Sequence, residues 1–182
     1  MRFMSLSVVA ATLLLLSAVA EPDDEGSSCG RELPPSLAVP PGNDLAFALE
    51  AEGVQIYSCK ARDASYGWEF QAPEARLSTP RGQGAGRHYA GPTWELTDGS
   101  KVVGEKVEAV TPDPAAIPWL LLRAASYAGA GRMEEVTFVQ RIETRGGNAP
   151  SDGCDLAHAG AVARVPYHAV YCFYRKGAST GD

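Results

Sequence analysis

His88, Trp94, Asp98 and Arg141 are the residues of this chain whose types and settings point most directly to a site. An imidazole exchanges protons or ligates metals near neutral pH, and an indole offers a flat apolar face with one polar edge. Arg141 interrupts the apolar stretch Val136–Thr144, and an arginine pointing inward there needs a carboxylate partner, for which Asp98 and Glu95 are the candidates. A buried arginine beside His88 would make a ligand cleft.

The recognised catalytic constellations are missing. His88, His158 and His168 show neither His-x-His nor His-Glu-x-x-His spacing, so the sequence assigns no metal and no cofactor. There is no Gly-x-Ser-x-Gly, and Ser100 sits in a turn where its hydroxyl serves the backbone. Glu95 and Asp98 are close enough in sequence to suggest a carboxylate pair, yet Asp98 is accounted for by its turn. Trp68, Trp94 and Trp119, with Tyr57, Tyr89, Tyr167, Tyr171 and Tyr174, would suit a glycan- or aromatic-binding face, but in a domain of this size such rings mostly fill the core.

These residues must be positioned by strands. Thr93–Leu96 and Lys101–Val103 are extended segments joined at Asp98-Gly99, a dipeptide suited to a tight hairpin turn, and Gly91-Pro92 breaks any helix just before them. Residues 45–49 alternate in strand fashion. In Gly53–Cys59, Val54, Ile56 and Ser58 face one way while Gln55, Tyr57 and Cys59 face the other. Short extended pieces follow at Gly67–Phe70 and Pro73–Leu77, with a glycine-rich loop over Ser78–Gly86. Ile117–Tyr127 carries leucines and alanines that favour helix, but it leads through Gly129-Ala-Gly131 into the strongly β Val136–Thr144, so a second hairpin is expected. Val165–Tyr174 forms the last strand. The pattern predicts an all-β, single-domain antiparallel β-sandwich or barrel of about eight to ten short strands.

Length and charge set further bounds. One domain suits 182 residues, and a net charge of −6 with scattered Lys and Arg argues against nucleic acid. Residues 1–20 read as a secretory signal peptide: Arg2, an apolar stretch over Leu6–Leu16, and Ala18-Val19-Ala20 before Glu21. The apolar stretch falls short of the roughly 20 residues a spanning helix needs, so no stable membrane span is expected once the signal is removed. Residues 21–36 form a flexible acidic lead-in, 37–175 the β domain, and 176–182 a disordered tail. Four cysteines in an exported chain suggest two disulfides, with three possible pairings. The favoured one joins Cys59 to Cys154, closing a long loop, and Cys29 to Cys172, stapling the lead-in to the last strand.

Several phrases together resemble a family: Gly53-Val-Gln-Ile-Tyr-Ser-Cys59, Trp68-Glu-Phe70, His88-Tyr-Ala-Gly-Pro-Thr-Trp-Glu95, Asp98-Gly-Ser100, Ile117-Pro-Trp-Leu-Leu-Leu122, Gln140-Arg-Ile-Glu-Thr144, Gly146-Gly-Asn-Ala-Pro150, Cys154-Asp155 and Val165-Pro-Tyr167. In this order they are similar to the domain-of-unknown-function family 3455 of secreted bacterial and fungal proteins, over about Leu37 to Arg175. Cys59 and Cys154 match that family's pattern, whereas Cys172 stands where an aromatic residue is more usual. The family implies no reaction. Some fungal members carry a malate dehydrogenase label, which this chain contradicts: in Gly82-Gln-Gly84-Ala-Gly86-Arg87 an arginine replaces the third glycine of a dinucleotide loop, with no βαβ pattern around it.

The reading is therefore a secreted (periplasmic or extracellular), disulfide-stabilised binding or structural module. Its partner is unknown, with a small molecule or glycan as the candidate. The alternative is a hydrolase or metal-dependent enzyme with a site around His88, Asp98 and Arg141.

Overall fold

A computed structural model describes residues 28–178. The signal-peptide reading, the lead-in before Ser28 and the tail from Ser179 lie outside the described residues. Eight antiparallel strands run in simple sequence order and close into a barrel, β8 returning to pair with β1. They are β1 (Asn43–Arg62), β2 (Ser65–Ser78), β3 (Gly84–Tyr89), β4 (Thr93–Leu96), β5 (Lys101–Val110), β6 (Trp119–Ala128), β7 (Val136–Gly146) and β8 (Val162–Lys176).

The chain is all-β as expected, and of sandwich and barrel it forms the closed barrel. Its strands are not uniformly short. The pieces read separately around Leu45–Leu49 and Gly53–Cys59 belong to the single β1, and Gly67–Phe70 and Pro73–Leu77 to the single β2. Register shifts at Ile56/Tyr57 and Leu45/Phe47 let these strands bend around the barrel without ending, as β-bulges do. Ile117–Tyr127 contributes β6, which pairs with β7 as the expected hairpin. Leu120 and Leu122 face the packed interior, and that burial outweighs their helical preference.

In a meander every second turn lies at the same end. The turns β1–β2, β3–β4, β5–β6 and β7–β8 share one end; β2–β3, β4–β5 and β6–β7 share the other. The second end is plugged. Between β6 and β7 a 3-10 turn, Arg132–Glu135, inserts Met133 into the main core with no exposed surface, and such burial is worth about 2 kcal/mol. Asp98 and Ser100 hold the plug: the Asp98 carboxylate accepts from the Ser100 amide at 2.8 Å, the Ser100 hydroxyl at 2.6 Å and the Arg132 amide at 3.1 Å, while Ser100 Oγ accepts from the Met133 amide at 3.2 Å. Gly131 makes that approach possible. Its φ is +143°, and a Cβ there would meet the Asp98 carboxylate.

Above the plug, inward side chains from all round the wall form the core, including Leu49, Leu77, Trp94, Leu96, Val102, Leu122, Val136, Val139 and Phe173. A second cluster lies on the outside. Cys29, bonded to Cys172, packs with Ile142 and Val170, and Leu33, Ala48, Trp119 and Tyr174 cover it. The lead-in from Ser28 onward thus lies against the barrel wall, with Arg31 donating to Glu143 at 2.8 Å. The other disulfide joins Cys59, near the end of β1, to Cys154 in the long β7–β8 loop. Backbone bonds from the Cys59 amide to the Ala161 carbonyl and from the Gly160 amide to the Cys59 carbonyl fix the same loop. Among the described residues no cysteine is free. Two disulfides are consistent with an extracellular or periplasmic protein. No helix among the described residues is long and apolar enough to cross a membrane.

Candidate functional site

The end opposite the plug is hollow. A cavity of about 370 Å³ opens there, lined by Gln55 and Tyr57 of β1, Phe70 and Pro73 of β2, His88 of β3, Trp94 of β4, Lys106 and Ala109 of β5, Leu120 and Leu122 of β6, Arg141 of β7 and Tyr171 of β8, together with Pro92, Ile117 and Pro118 from the connecting segments. Every strand contributes. The alternation of each strand supplies the inward set, so that on β1 the side carrying Gln55, Tyr57 and Cys59 is the buried one.

Trp94 forms the floor. It is 1 % exposed, stacks on His88 with ring centroids 4.6 Å apart, and meets Tyr171 and Phe173 edge-on at 5.2 Å and 6.1 Å. Gly104 on β5 makes room for it, since a Cβ there would lie 2.9 Å from Trp94 Cζ3 and 3.1 Å from Leu122 Cδ2.

A polar layer sits on this floor. His88 Nδ1 lies 2.9 Å from the Thr93 carbonyl. A carbonyl only accepts, so Nδ1 carries the hydrogen and Nε2 a lone pair. Burial, with the Arg141 charge adding to it and the Thr93 bond opposing, lowers the His88 pKa to about 3, leaving a neutral ring and a weak base. Arg141 Nε and Nη2 donate to the Pro118 carbonyl at 3.0 Å and 2.8 Å. Burial raises the pKa of Tyr57 and of Tyr171, and the Arg141 charge pulls both back. Tyr167 feels it too, so four groups answer to one guanidinium: His88, Tyr57, Tyr171 and Tyr167.

Several buried polar atoms of the lining, Gln55 Nε2, Trp94 Nε1 and the Tyr171 hydroxyl, have no hydrogen-bond partner, and neither has the hydroxyl of Tyr167 beside it. The two tyrosine hydroxyls are close enough to bias one another's ionisation, and Tyr171 is close enough to feel Arg141, but neither hydroxyl makes a bond of proper geometry. Leaving such groups unpaired costs roughly 1–3 kcal/mol each. Natural cores avoid that cost unless something else meets the groups.

The residues singled out from sequence divide between the two ends. His88, Trp94 and Arg141 meet at the cavity. Asp98 does not: it lies in the β4–β5 turn at the plugged end, spent on Ser100 and Arg132. Nor does Arg141 pair with a carboxylate, as an inward arginine was expected to. Glu95 is engaged by Tyr89, Arg87 and Lys101 instead, and the guanidinium answers to a backbone carbonyl. The tryptophans also part company, Trp68 donating to the Asp152 carbonyl and Trp119 covering the outer cluster. Gln55 and Lys106 were not picked out from sequence. For Gln55 the signal was present, since it shares the Tyr57 face of an alternating strand.

A wider concavity of about 1050 Å³ lies elsewhere, over Gly53, Ala75 and Gly146, where Glu52, Glu74, Arg76, Arg145 and Arg164 mix their signs and Arg164 is paired with Glu74. The hollow end has the more selective lining. Among the described residues no group of three or more His, Cys, Asp or Glu is placed to hold a metal ion.

No curated protein and no solved structure matches the chain. A family model described as "Protein of unknown function (DUF3455)" matches residues 40–175, which takes in the whole barrel wall from β1 to the end of β8 save a single residue, and the chain belongs to that family.

Proposed function

We propose that this chain is an exported ligand-binding module that takes one small, largely apolar molecule into the hollow end of its barrel. The observation that carries the reading is the unpaired polar layer of Gln55, Trp94 and Tyr171 lining an apolar-walled cavity of about 370 Å³. That volume lies within the range of small-molecule sites, and barrels of eight strands are wide enough to hold one such ligand. A rigid wall supports the reading too. The Cys59–Cys154 bond and the Tyr57 hydroxyl, which donates to the Gly147 carbonyl at 2.6 Å, both pin the long rim loop to β1.

The enzymatic alternative has less to stand on. It needs His88 and Asp98 together, and they lie at opposite ends; a histidine with a pKa of about 3 is also a poor general base at neutral pH. The test is a titration of the neutral fluorophore N-phenyl-1-naphthylamine. Saturable enhancement in wild type, lost in Ala109→Trp, which fills the cavity, agrees with the reading. Enhancement unchanged in Ala109→Trp contradicts it.

A further inference from the structure

Resting on that reading, we infer that the ligand carries a carboxylate, which docks on Arg141 with its apolar body against the wall formed by Phe70, Leu120 and Leu122. The first ground is charge. Arg141 is a half-buried cation facing an apolar cavity, and no carboxylate pairs with it among the described residues. The Pro118 carbonyl occupies Nε and one N–H of Nη2, leaving the hydrogens of Nη1 and the second hydrogen of Nη2 without an acceptor. A cation withdrawn from water is costly unless a counter-charge meets it.

The second ground is the sign of the other unpaired groups. Trp94 Nε1 can only donate, Gln55 Nε2 is a donor, and the Tyr171 hydroxyl can donate. Lys106, the other cation of the lining, is exposed at the rim and is the competing source of any anion preference. Opposing the donors are only neutral acceptors, the His88 Nε2 lone pair and the Gln55 and tyrosine oxygens, and burial keeps the His88 ring neutral. A site built of donors around a cation selects an acceptor-rich anion, and a planar guanidinium is matched by a planar carboxylate in two-pronged fashion. The walls limit the rest of the molecule to apolar matter.

The test uses three ligands of one shape, 4-phenylbutyrate, 4-phenylbutan-1-ol and 4-phenylbutylamine, each displacing N-phenyl-1-naphthylamine from the full exported chain. The expected result is a carboxylate binding at least about tenfold tighter than the alcohol, with the amine weakest. That preference should fall to within about threefold in Arg141→Met, persist in Lys106→Met, and survive about 0.5 M NaCl, which screens surface charges but not a buried pair. Equal affinity of carboxylate and alcohol overturns the inference while leaving the binding reading in place; displacement by none of the three overturns both. A preference lost in Lys106→Met or erased by salt assigns it to the rim and likewise overturns the inference. The salt arm uses only wild type, so it decides the matter even if Arg141→Met does not fold.

Discussion

His88 and Trp94 face each other across the β3–β4 pair with their rings 13° from parallel, so the neutral imidazole lies flat on the indole that floors the cavity. Its Nδ1–H is tied to the Thr93 carbonyl, which sets the tautomer and turns the remaining lone pair away from that strand. Sequence neighbours six positions apart are thus joined by the hairpin into one aromatic unit.

This stack predicts a pH signature. The His88 pKa falls from 6.5 to about 3 on folding, so between those values the unfolded chain binds a proton that the folded chain refuses. The stabilisation is complete above pH 6.5 and is lost as the pH falls toward 3, by at most about 1.4 kcal/mol per pH unit. Urea denaturation at several pH values should show a shallower slope for His88→Gln than for wild type. Parallel slopes would contradict a buried neutral ring.

Gly104→Ala should cost about 1–3 kcal/mol, because its methyl group enters the Trp94 ring where the stack on His88 leaves nowhere to retreat. Tryptophan fluorescence should shift together with the lowered denaturation midpoint. Wild-type stability in this variant would mean that Trp94 is more loosely seated than its contacts indicate.

Asp98→Ala should weaken the fold by about 1–2 kcal/mol by freeing the plug, and should leave probe binding at the opposite end unchanged. The Ser100 hydroxyl, then the Ser100 and Arg132 amides, hold this carboxyl below its ordinary pKa of 3.8, so its contribution is present above that value and disappears as the pH falls below it. Loss of binding without loss of stability would return Asp98 to the site.

Replacing both Cys59 and Cys154 with alanine removes a link between residues 95 apart, at a cost of about 4–5 kcal/mol on the chain-entropy account. Amide exchange should accelerate most across residues 147–161, the loop the bond pins to β1. Uniform acceleration over the whole barrel would show that the bond supports the fold at large and not the rim.

Much of this was written in the residues. The Asp98-Gly99 turn, the alternation of Gln55 and Tyr57 in β1 and the glycine corner before Val136 each state a local geometry that the barrel keeps. What stayed hidden is what pairing decides. Separate short strands were expected because bulges within β1 and β2 leave no sequence mark distinct from a turn. Asp98 looked like a companion of His88 because they are close in sequence, yet the four-residue β4 carries the chain from one end of the barrel to the other between them. Arg141 found a carbonyl where a carboxylate was expected, and a backbone acceptor has no side chain to announce it.

The hollow end as the binding site is tested most directly through the indole N–H resonances of the chain's three tryptophans in a 15N-labelled sample titrated with N-phenyl-1-naphthylamine. Trp94 lines the cavity and its Nε1 is buried without a partner, Trp68 Nε1 is bonded to the Asp152 carbonyl, and Trp119 lies on the outer face. One resonance, removed by Trp94→Phe, should move saturably while the other two hold still. Saturable movement confined to Trp68 or Trp119, or no movement at all, would contradict the account.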